Sequence, residues 1–474
     1  MVKLSQETIE ILRQNKQEHL AKFADEISPE QAQLLEKQIN ELNWSEINEL
    51  IKEYVLEKKQ IPIPKDLLPA PYYPYPPNNE ELLEKYSLAE KTAKTLISAG
   101  KVALLTVAGG QGTRLGFDGP KGTYPITPIK GKSFFQYFAE KIRGAQRKFN
   151  VEFQWLIMTS PVNNSTTVSF FNKHDFFGLK KENVHFFVQG TMPVFSYDGK
   201  ILMDSKYTIS LSPNGHGGTI KALHDSGLLE FLSNRNIEVI SYFQIDNLIV
   251  PILDTLFIGL HVIDQSEVSS RMLPKTGPFE KLGNFCISNG KLYIIEYSDL
   301  PEKLALQKDE NGKLKFISGS PAIHIFSVNF LKKLTSPGSQ LKLPWHRADK
   351  KVPFIDEYGV MVKPNQNNAV KLETFIFDCL PLAKKTIILE GIREEIFSPT
   401  KNPTGVDSVE SARKMLSEKD AKLLEKAGVK IPRKSDGSLD CIIELDPSKY
   451  YDLDDILEIK MKFPEIQPGE KFYL

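Results

Sequence analysis

Apolar and polar residues follow two different periods along this chain, and their alternation predicts an α/β fold. Between residues 101 and 385, short apolar runs predict buried strands, and amphipathic stretches between them, such as 134–147 and 219–233, predict helices. Alternation of this kind is typical of a mostly parallel sheet covered by helices, in which ligands bind beyond the carboxyl ends of the strands. The predicted strands are 102–107, 153–158, 184–188, 238–243, 267–272 and 323–328.

The pattern also divides the chain into three consecutive parts. The first part is helical, and Ser28 is placed to cap a helix that starts at Pro29. Its proline-dense stretch 61–77 cannot form a regular helix or a central strand. That stretch is either a polyproline ligand for a partner or, as we favour, a linker pinned across a domain surface. The predicted domains are an N-terminal helical region 1–99, a catalytic α/β domain 100–385 and a small C-terminal domain 386–474 with short elements.

A glycine-rich loop directly follows the first predicted strand. Residues 108–121 read AGGQGTRLGFDGPK, so several backbone N–H groups stand without a neighbouring Cβ atom, and two cations accompany them. A loop of this composition after a strand suits a polyphosphate. The candidate phosphate ligands are Gly109, Gly110, Gly112, Arg114 and Lys121.

Two familiar phosphate-binding motifs do not fit this loop. The dinucleotide fingerprint GxGxxG, started at Gly110, requires glycine where Leu115 stands. The Walker motif requires glycine at Ile126 if the Gly-Lys-Ser triplet that begins at Gly131 is its end. The loop therefore matches neither motif; the alternative to a polyphosphate site is an ordinary turn between a strand and a helix.

The loop resembles that of the UDP-sugar pyrophosphorylases, and most closely that of the eukaryotic-type UDP-N-acetylglucosamine pyrophosphorylases. The GGxGTxxGxxxxK part of their signature runs intact from Gly109 to Lys121, although the preceding leucine is one residue further away than in the family. Other matches recur downstream in family order across nearly the whole chain. The resemblance implies a Rossmann-like nucleotidyltransferase that joins UTP and a hexosamine 1-phosphate, with Mg²⁺, to give a UDP-sugar and pyrophosphate.

The resemblance also implies a role for each matching residue. Arg114, Lys121 and Lys401 would act on the phosphates. Gln189 would read the edge of uracil, because an amide offers both a donor and an acceptor. Asp246 would hold Mg²⁺, which takes few protein carboxylates. The other implied nucleotide and sugar contacts are Gly109, Gly110, Gly112, Pro213, Gly215, His216, Asn247, Gly283, Glu296, Tyr297, Ser320, Phe375 and Phe377.

The preferred sugar is the point on which the motifs disagree. Phe375 and Phe377 match aromatic residues near the N-acetyl group in the family, although alternate phenylalanines are more often core residues. His216 and Ser320 stand where the N-acetylglucosamine enzymes usually have asparagine, and Gly-His-Gly is more typical of the UDP-glucose enzymes. We favour N-acetylglucosamine 1-phosphate; glucose 1-phosphate and a non-catalytic nucleotide-sugar binding protein are the alternatives.

Composition narrows the class of protein without adding a site. Lys plus Arg equals Asp plus Glu, at 60 each, which argues against a dedicated nucleic-acid binder. Residues 1–20 are polar and no apolar run reaches the length of a membrane span, so we expect no membrane partner. The three cysteines, at scattered positions, form no metal-binding or disulfide pattern. We expect a cytoplasmic enzyme that is a monomer or a homodimer.

Overall fold

The computed structural model describes residues 4–339, 341–459, 463 and 465–474. The chain forms two compact units. The first consists of Met1–Ile63, Gln189–Thr219 and Lys342–Asp378, and the second of Pro64–Val188, Ile220–Leu341 and Cys379–Leu474. The division into three consecutive domains, with boundaries after residues 99 and 385, stays a prediction.

The helices begin largely where their sequence caps are. The Ser28 hydroxyl accepts a hydrogen bond from the N–H of Gln31, the Gln31 side-chain oxygen accepts one from the N–H of Ser28, and Pro29 opens the helix. The α-helices of the described chain are α1 (Gln6–Gln14), α2 (Pro29–Asn40), α3 (Trp44–Leu50), α4 (Glu80–Ser98), α5 (Phe134–Phe149), α6 (Asn164–Lys173), α7 (Gly218–Asp225), α8 (Leu228–Asn234), α9 (Thr255–Ile263), α10 (Glu302–Ala305), α11 (Val328–Thr335), α12 (Arg393–Ile396), α13 (Val409–Lys426) and α14 (Leu453–Leu457).

Two helix predictions were wrong in extent. The single helix predicted over 219–233 is broken into α7 and α8, because Gly227 adopts a left-handed conformation with φ of 74° between them. The expectation of short elements after residue 386 fails for α13, which is 18 residues long and starts from a capping box at Ser408.

Strands occupy every position where an apolar run predicted one. The runs 102–107 and 184–188 are confirmed to the residue, and the other four are displaced by one or two residues. The strands of the described chain are β1 (Leu68–Pro69), β2 (Val102–Val107), β3 (Trp155–Thr159), β4 (Val184–Val188), β5 (Thr191–Pro193), β6 (Phe195–Ser196), β7 (Met203–Ser205), β8 (Thr208–Ile209), β9 (Leu211–Pro213), β10 (Val239–Gln244), β11 (Val268–Pro274), β12 (Gly283–Ser288), β13 (Lys291–Ile295), β14 (Ser318–Ser320), β15 (His324–Ser327), β16 (His346–Lys350), β17 (Phe354–Ile355), β18 (Met361–Val362), β19 (Ala369–Glu373), β20 (Thr386–Glu390), β21 (Ile442–Glu444) and β22 (Lys471–Tyr473).

The second unit contains a large central sheet with the strand order β1-β12-β14-β11-β15-β10-β2-β3-β4. Its half formed by β10, β2, β3 and β4 is parallel, and β20 runs parallel to β11. The α/β fold class is therefore confirmed, while antiparallel pairs that the sequence analysis missed extend the sheet through β12, β14 and β15. Because β15 is antiparallel to both β10 and β11, the carboxyl ends of β2, β10 and β11 lie at the same edge.

The proline-dense segment is tied to the second unit, as favoured from its aromatic content. The N–H of Tyr73 donates to the carbonyl of Ile388 in β20 at 2.8 Å, and the Tyr73 hydroxyl donates to Asp264 at 2.6 Å. Tyr86 of α4 donates to the Pro74 carbonyl at 2.6 Å. These contacts hold the segment against the sheet.

The first unit has its own apolar core. Side chains of α1 to α3, including Leu12 and Ile39, are buried against Ile209 of β8 and Leu372 of β19. In this unit β16, β19 and β6 form a small antiparallel sheet. Within the part of the chain that the structure describes, no helix is both long enough and apolar enough to cross a bilayer. The described cysteines, Cys286, Cys379 and Cys441, are buried.

Candidate active site

The glycine-rich loop starts where β2 ends and is closed by its own backbone. The N–H of Lys121 donates to the Gly110 carbonyl at 3.0 Å, and the N–H of Gly112 donates to the Gly119 carbonyl at 2.8 Å. The side-chain amide of Asn163, just before α6, donates to the carbonyls of Ala108 and Gly110 at 3.0 and 3.3 Å. These hydrogen bonds hold the loop in one conformation.

The glycines of the loop serve different purposes. Gly110 is exposed, and a Cβ atom there would meet nothing within 4 Å, so the space in front of it is open to a ligand. A Cβ at Gly112 would stand 2.7 Å from the Phe117 ring, and Gly116 has φ of +69°. These two glycines therefore shape the loop, whereas Gly110 leaves its surface clear.

The structure brings two predicted residues together at the end of this loop. Lys121 Nζ lies 3.3 Å from Asp246 Oδ2, and both side chains are about 15% exposed. Asp246 follows β10, and the N–H of Ile245 donates to the Val107 carbonyl at 3.0 Å, which holds the ends of β10 and β2 side by side. Arg114 is exposed, and no described residue pairs with its guanidinium. An anionic ligand that binds at this loop would therefore find two cations, Lys121 in its pair with Asp246 and the exposed Arg114.

The donor set around Asp246 fits a magnesium ion that arrives with phosphates. Among the described residues no group of three or more His, Cys, Asp or Glu side chains could form a complete metal cage. Mg²⁺ commonly binds one or two carboxylates and completes its octahedron with phosphate oxygens and water. One carboxylate at the strand edge matches that requirement.

A segment after α12 is fastened to the end of β10. The Asn247 side chain donates to the Ile396 carbonyl and accepts from the N–H of Ser398, both at 2.8 Å. The N–H of Thr400 donates to the Asp246 carbonyl at 3.0 Å. Asn247, predicted as a substrate contact, is 3% exposed, and its side-chain amide is hydrogen-bonded to this segment. Lys401 follows directly and is exposed.

Four residues predicted to contact the sugar lie on neighbouring strands of the second unit or directly after one: Gly283 in β12, Ser320 in β14, and Glu296 and Tyr297 just after β13. Gly283 of β12 is the register partner of Ser320 of β14, and β14 pairs with the last residues of β11. A Cβ at Gly283 would stand 2.5 Å from Ile294 Cγ2, so the glycine allows that close packing, and Glu296 Oε1 lies next to the same position at 3.6 Å. The Ser320 hydroxyl accepts from the N–H of Ala322 at 3.3 Å, and Tyr297 is exposed. This grouping lies at the sheet edge where β11 ends.

In the first unit a second glycine-rich loop, residues 213–218, is clamped on Thr374. The Asn214 carbonyl accepts from the Thr374 N–H at 2.8 Å and from its hydroxyl at 3.0 Å. The N–H of Gly217 donates to the Thr374 carbonyl at 2.8 Å. Gly215 has φ of +85°, and a Cβ there would stand 2.2 Å from that carbonyl. Only glycine allows this approach.

Gln189 is held by the same loop. Its side chain is 6% exposed, and Nε2 donates to the Gly215 carbonyl at 2.6 Å. Pro213 of β9 is the register partner of Thr191 of β5, and Thr191 lies two residues after Gln189. The contact orients the amide, so its second N–H and its oxygen stay available for a ligand.

His216 forms part of an aromatic cluster in the first unit. Its ring stacks on Phe375 at 5.2 Å with an interplanar angle of 18°, and Phe377 lies 5.8 Å away. His216 Nδ1 accepts from the N–H of Ile376 at 3.1 Å. Burial, assisted by the neighbouring His346, lowers the pKa of His216 to about 4. The imidazole is therefore neutral at pH 7, and because Nδ1 accepts from Ile376, its proton is on Nε2.

Three of the residues that build these sites escaped the sequence analysis. Asn163 holds the glycine-rich loop after β2, Thr374 holds the second loop, and Ser398 holds the segment before Lys401. Asn163 had a local signal, because its Oδ1 accepts from the N–H of Ser160 at 2.9 Å in a turn directly after β3. Thr374 and Ser398 had none, since their partners lie more than 100 residues away.

Known proteins are similar to this chain over most of its length. The family model described as UTP–glucose-1-phosphate uridylyltransferase matches residues 30–472. The Arabidopsis thaliana UDP-N-acetylglucosamine diphosphorylase 2 is 34% identical over 86% of this chain and 82% of its own. The Saccharomyces cerevisiae UDP-N-acetylglucosamine pyrophosphorylase is 37% identical over 75% of this chain and 77% of its own.

A solved structure agrees over nearly the full length. The uridine diphosphate N-acetylglucosamine pyrophosphorylase of Trypanosoma brucei superposes with a TM-score of 0.79 at 25% identity. The match covers 95% of this chain and 93% of the other. With the intact glycine-rich signature and the sheet that carries it, these matches lead to one conclusion. The chain belongs to the UTP–glucose-1-phosphate uridylyltransferase family.

Proposed function

We propose that this chain is a uridylyltransferase that converts UTP and N-acetylglucosamine 1-phosphate to UDP-N-acetylglucosamine and pyrophosphate. The observation that carries the proposal is the pairing of Lys121 with Asp246 beside the open glycine-rich loop. A cation and a carboxylate at that place suit a triphosphate and its magnesium ion. Relatives named for this activity are 34% and 37% identical to the chain.

The proposed chemistry is an in-line displacement without a covalent enzyme intermediate. An oxygen of the sugar phosphate attacks the α-phosphorus of UTP, and pyrophosphate leaves. Catalysis then consists of positioning two anions and stabilising the charge that moves to the leaving group. In this scheme Arg114 and Lys121 bind the β- and γ-phosphates, and Lys401 binds the sugar phosphate or the α-phosphate.

A magnesium ion is part of the proposal. Asp246 would hold it, and the ion would neutralise phosphate charge during the displacement. With its carboxylate engaged by such an ion, Asp246 would leave Lys121 available to the phosphates.

The base is assigned to the second loop. Gln189 reads uracil with the N–H and the oxygen that its contact with Gly215 leaves over. Backbone groups of Gly109 and Gly110 are proposed to assist. Pro213 and the loop that follows it supply the contact surface.

N-acetylglucosamine 1-phosphate is the proposed sugar, and the alternative is glucose 1-phosphate. Phe375 and Phe377, whose ring centroids are 5.1 Å apart, offer an apolar surface for an acetyl methyl group. Gly283, Glu296 and Ser320 are assigned to the sugar hydroxyls. The alternative is favoured by His216 and by the description of the family model, which names glucose 1-phosphate.

A pyrophosphate-release assay with UTP and a panel of sugar 1-phosphates tests the proposal. We expect release with Mg²⁺ present, no release after chelation, and a higher kcat/KM for N-acetylglucosamine 1-phosphate than for glucose 1-phosphate. A chain that binds UDP-sugars but releases no pyrophosphate with any sugar would instead be a binding protein. A cytoplasmic location and a monomeric or homodimeric state stay predictions.

A further inference from the structure

His346 and Asp378, to which no role has been assigned so far, lie beside the aromatic cluster of His216, Phe375 and Phe377. The ring of His346 lies 4.1 Å from the ring of Phe375 with an interplanar angle of 32°. His346 Nε2 donates to Asp378 Oδ2 at 2.8 Å, and the two side chains are 19% and 14% exposed. Phe375 is thus packed against two imidazoles, one from His216 and one from His346.

The backbone ties these residues together as tightly as the rings do. His346 opens β16 and is the register partner of Glu373 in β19, two residues before Phe375. The N–H of Asp378 donates to the Phe375 carbonyl at 3.1 Å. Asp378 therefore closes the turn that carries Phe375 and, with its carboxylate, holds the ring that packs on it.

Burying a polar pair at this position has a desolvation cost that an apolar pair would not have. Burial raises the pKa of the Asp378 carboxyl, and the hydrogen bond from His346 only partly offsets that effect. An apolar pair would pack without this cost but would not fix the orientation of a ring, whereas a charge-assisted hydrogen bond does. The pair is suited to a task that needs one orientation of Phe375.

We propose that His346 and Asp378 are positioning residues that set the sugar preference of the enzyme by holding Phe375 in place. The inference rests on the proposed function and extends it to residues without an assigned role. In this scheme His346 and Asp378 do not touch the substrates. A correctly placed Phe375 contacts the acetyl group, while a ring that is free to rotate fits acetylated and non-acetylated sugars alike.

The test compares kcat/KM for N-acetylglucosamine 1-phosphate and glucose 1-phosphate in the full-length chain. For Asp378→Ala and His346→Ala we expect the ratio of the two values to fall by roughly fivefold, part of the discrimination that one methyl contact supplies. The loss comes from a higher KM for the acetylated sugar, and the KM for UTP stays within twofold. Asp378→Asn keeps an oxygen for the His346 N–H and retains the wild-type ratio.

Two further variants separate positioning from stability. His346→Phe keeps a ring on Phe375 but loses the hydrogen bond to Asp378, and we expect its ratio to fall at least about twofold. In a Phe375→Ala background, His346→Ala has no further effect on the ratio, because its route of action is gone. His224→Ala, which removes an exposed histidine of α7, is the matched control and leaves every parameter unchanged.

The outcomes distinguish this inference from the proposed function. Wild-type protein that releases no pyrophosphate overturns the proposed function. If the wild-type protein is active and the Asp378→Ala and His346→Phe variants have the same ratio of kcat/KM values as the wild type, the positioning role is overturned. This holds even if the variants are less stable. A ratio that falls equally in Asp378→Asn also overturns it, since the hydrogen bond is retained there.

Discussion

The two glycine-rich loops of this molecule differ in what they present to a ligand. The loop after β2 offers an open surface at Gly110 and the cations Arg114 and Lys121. The loop at 213–218 is pressed against the Thr374 backbone, and its histidine is neutral. The first loop suits a ligand that is recognised by charge, and the second suits one that is recognised by shape.

The same residue type therefore carries opposite structural meanings in the two loops. At Gly110 the missing Cβ leaves space for something that is not protein. At Gly215 it leaves space for the Thr374 carbonyl, which fills it completely. Substitutions should consequently damage chemistry in the first loop and both folding and binding in the second.

The largest expected effect tests the charged loop. Lys121→Ala and Arg114→Ala should each lower kcat at least about a hundredfold, because their cations stabilise charge that develops on the leaving pyrophosphate. Steady-state pyrophosphate release measures the effect. Lys221→Ala, on the exposed face of α7, is the control and should retain full activity. Near-normal kcat in both variants would remove the phosphate role.

A pair of glycine substitutions tests the difference in packing. Gly215→Ala should lower the melting temperature by several degrees, because a left-handed alanine costs about 1–2 kcal/mol and its Cβ would also meet the Thr374 carbonyl. Gly110→Ala should leave the melting temperature within a degree or so and reduce activity. Thermal unfolding and the release assay distinguish the two, and equal melting temperatures would contradict the comparison.

Gln189→Glu tests whether the shape-recognising loop reads the base. The change removes the donor to the Gly215 carbonyl and puts a charge beside uracil. We expect the KM for UTP to rise about tenfold, roughly the cost of an unmatched hydrogen bond, while the KM for the sugar phosphate changes little. Calorimetric titration with UTP gives an independent value. Unchanged UTP affinity would remove Gln189 from the base site.

A further difference between the loops concerns pH. The folded-state pKa of His216 is about 4, below its ordinary value of 6.5, so the unfolded chain binds the extra proton first as pH falls. The stability that His216 contributes is therefore complete above pH 6.5 and is lost between pH 6.5 and 4, by at most about 1.4 kcal/mol per unit. His216→Asn should lose this acid sensitivity, measured as the difference in unfolding free energy between wild type and variant from pH 7 to 5. A constant difference across that range would contradict a neutral His216.

Local patterns predicted the elements well. The run at Val102–Val107 became a strand over the same residues, and the Ser28-Pro29 cap opened α2 where expected. Both signals depend on contacts within a few residues, which the sequence displays directly. The helix over 219–233 was misjudged because one residue, Gly227, adopted a conformation that its neighbours do not impose.

By itself the sequence determined the α/β fold class, the position of the glycine-rich loop after β2 and the family. The tertiary structure alone decided which residues meet. Lys121 and Asp246 are 125 residues apart and pair because β2 and β10 are neighbours in the sheet. Asn214 and Thr374 are 160 residues apart and meet only when their loop closes. Such contacts depend on strand order and backbone approach, which no local pattern encodes, and for that reason the roles of Gly110 and Gly215 could be separated only in the folded chain.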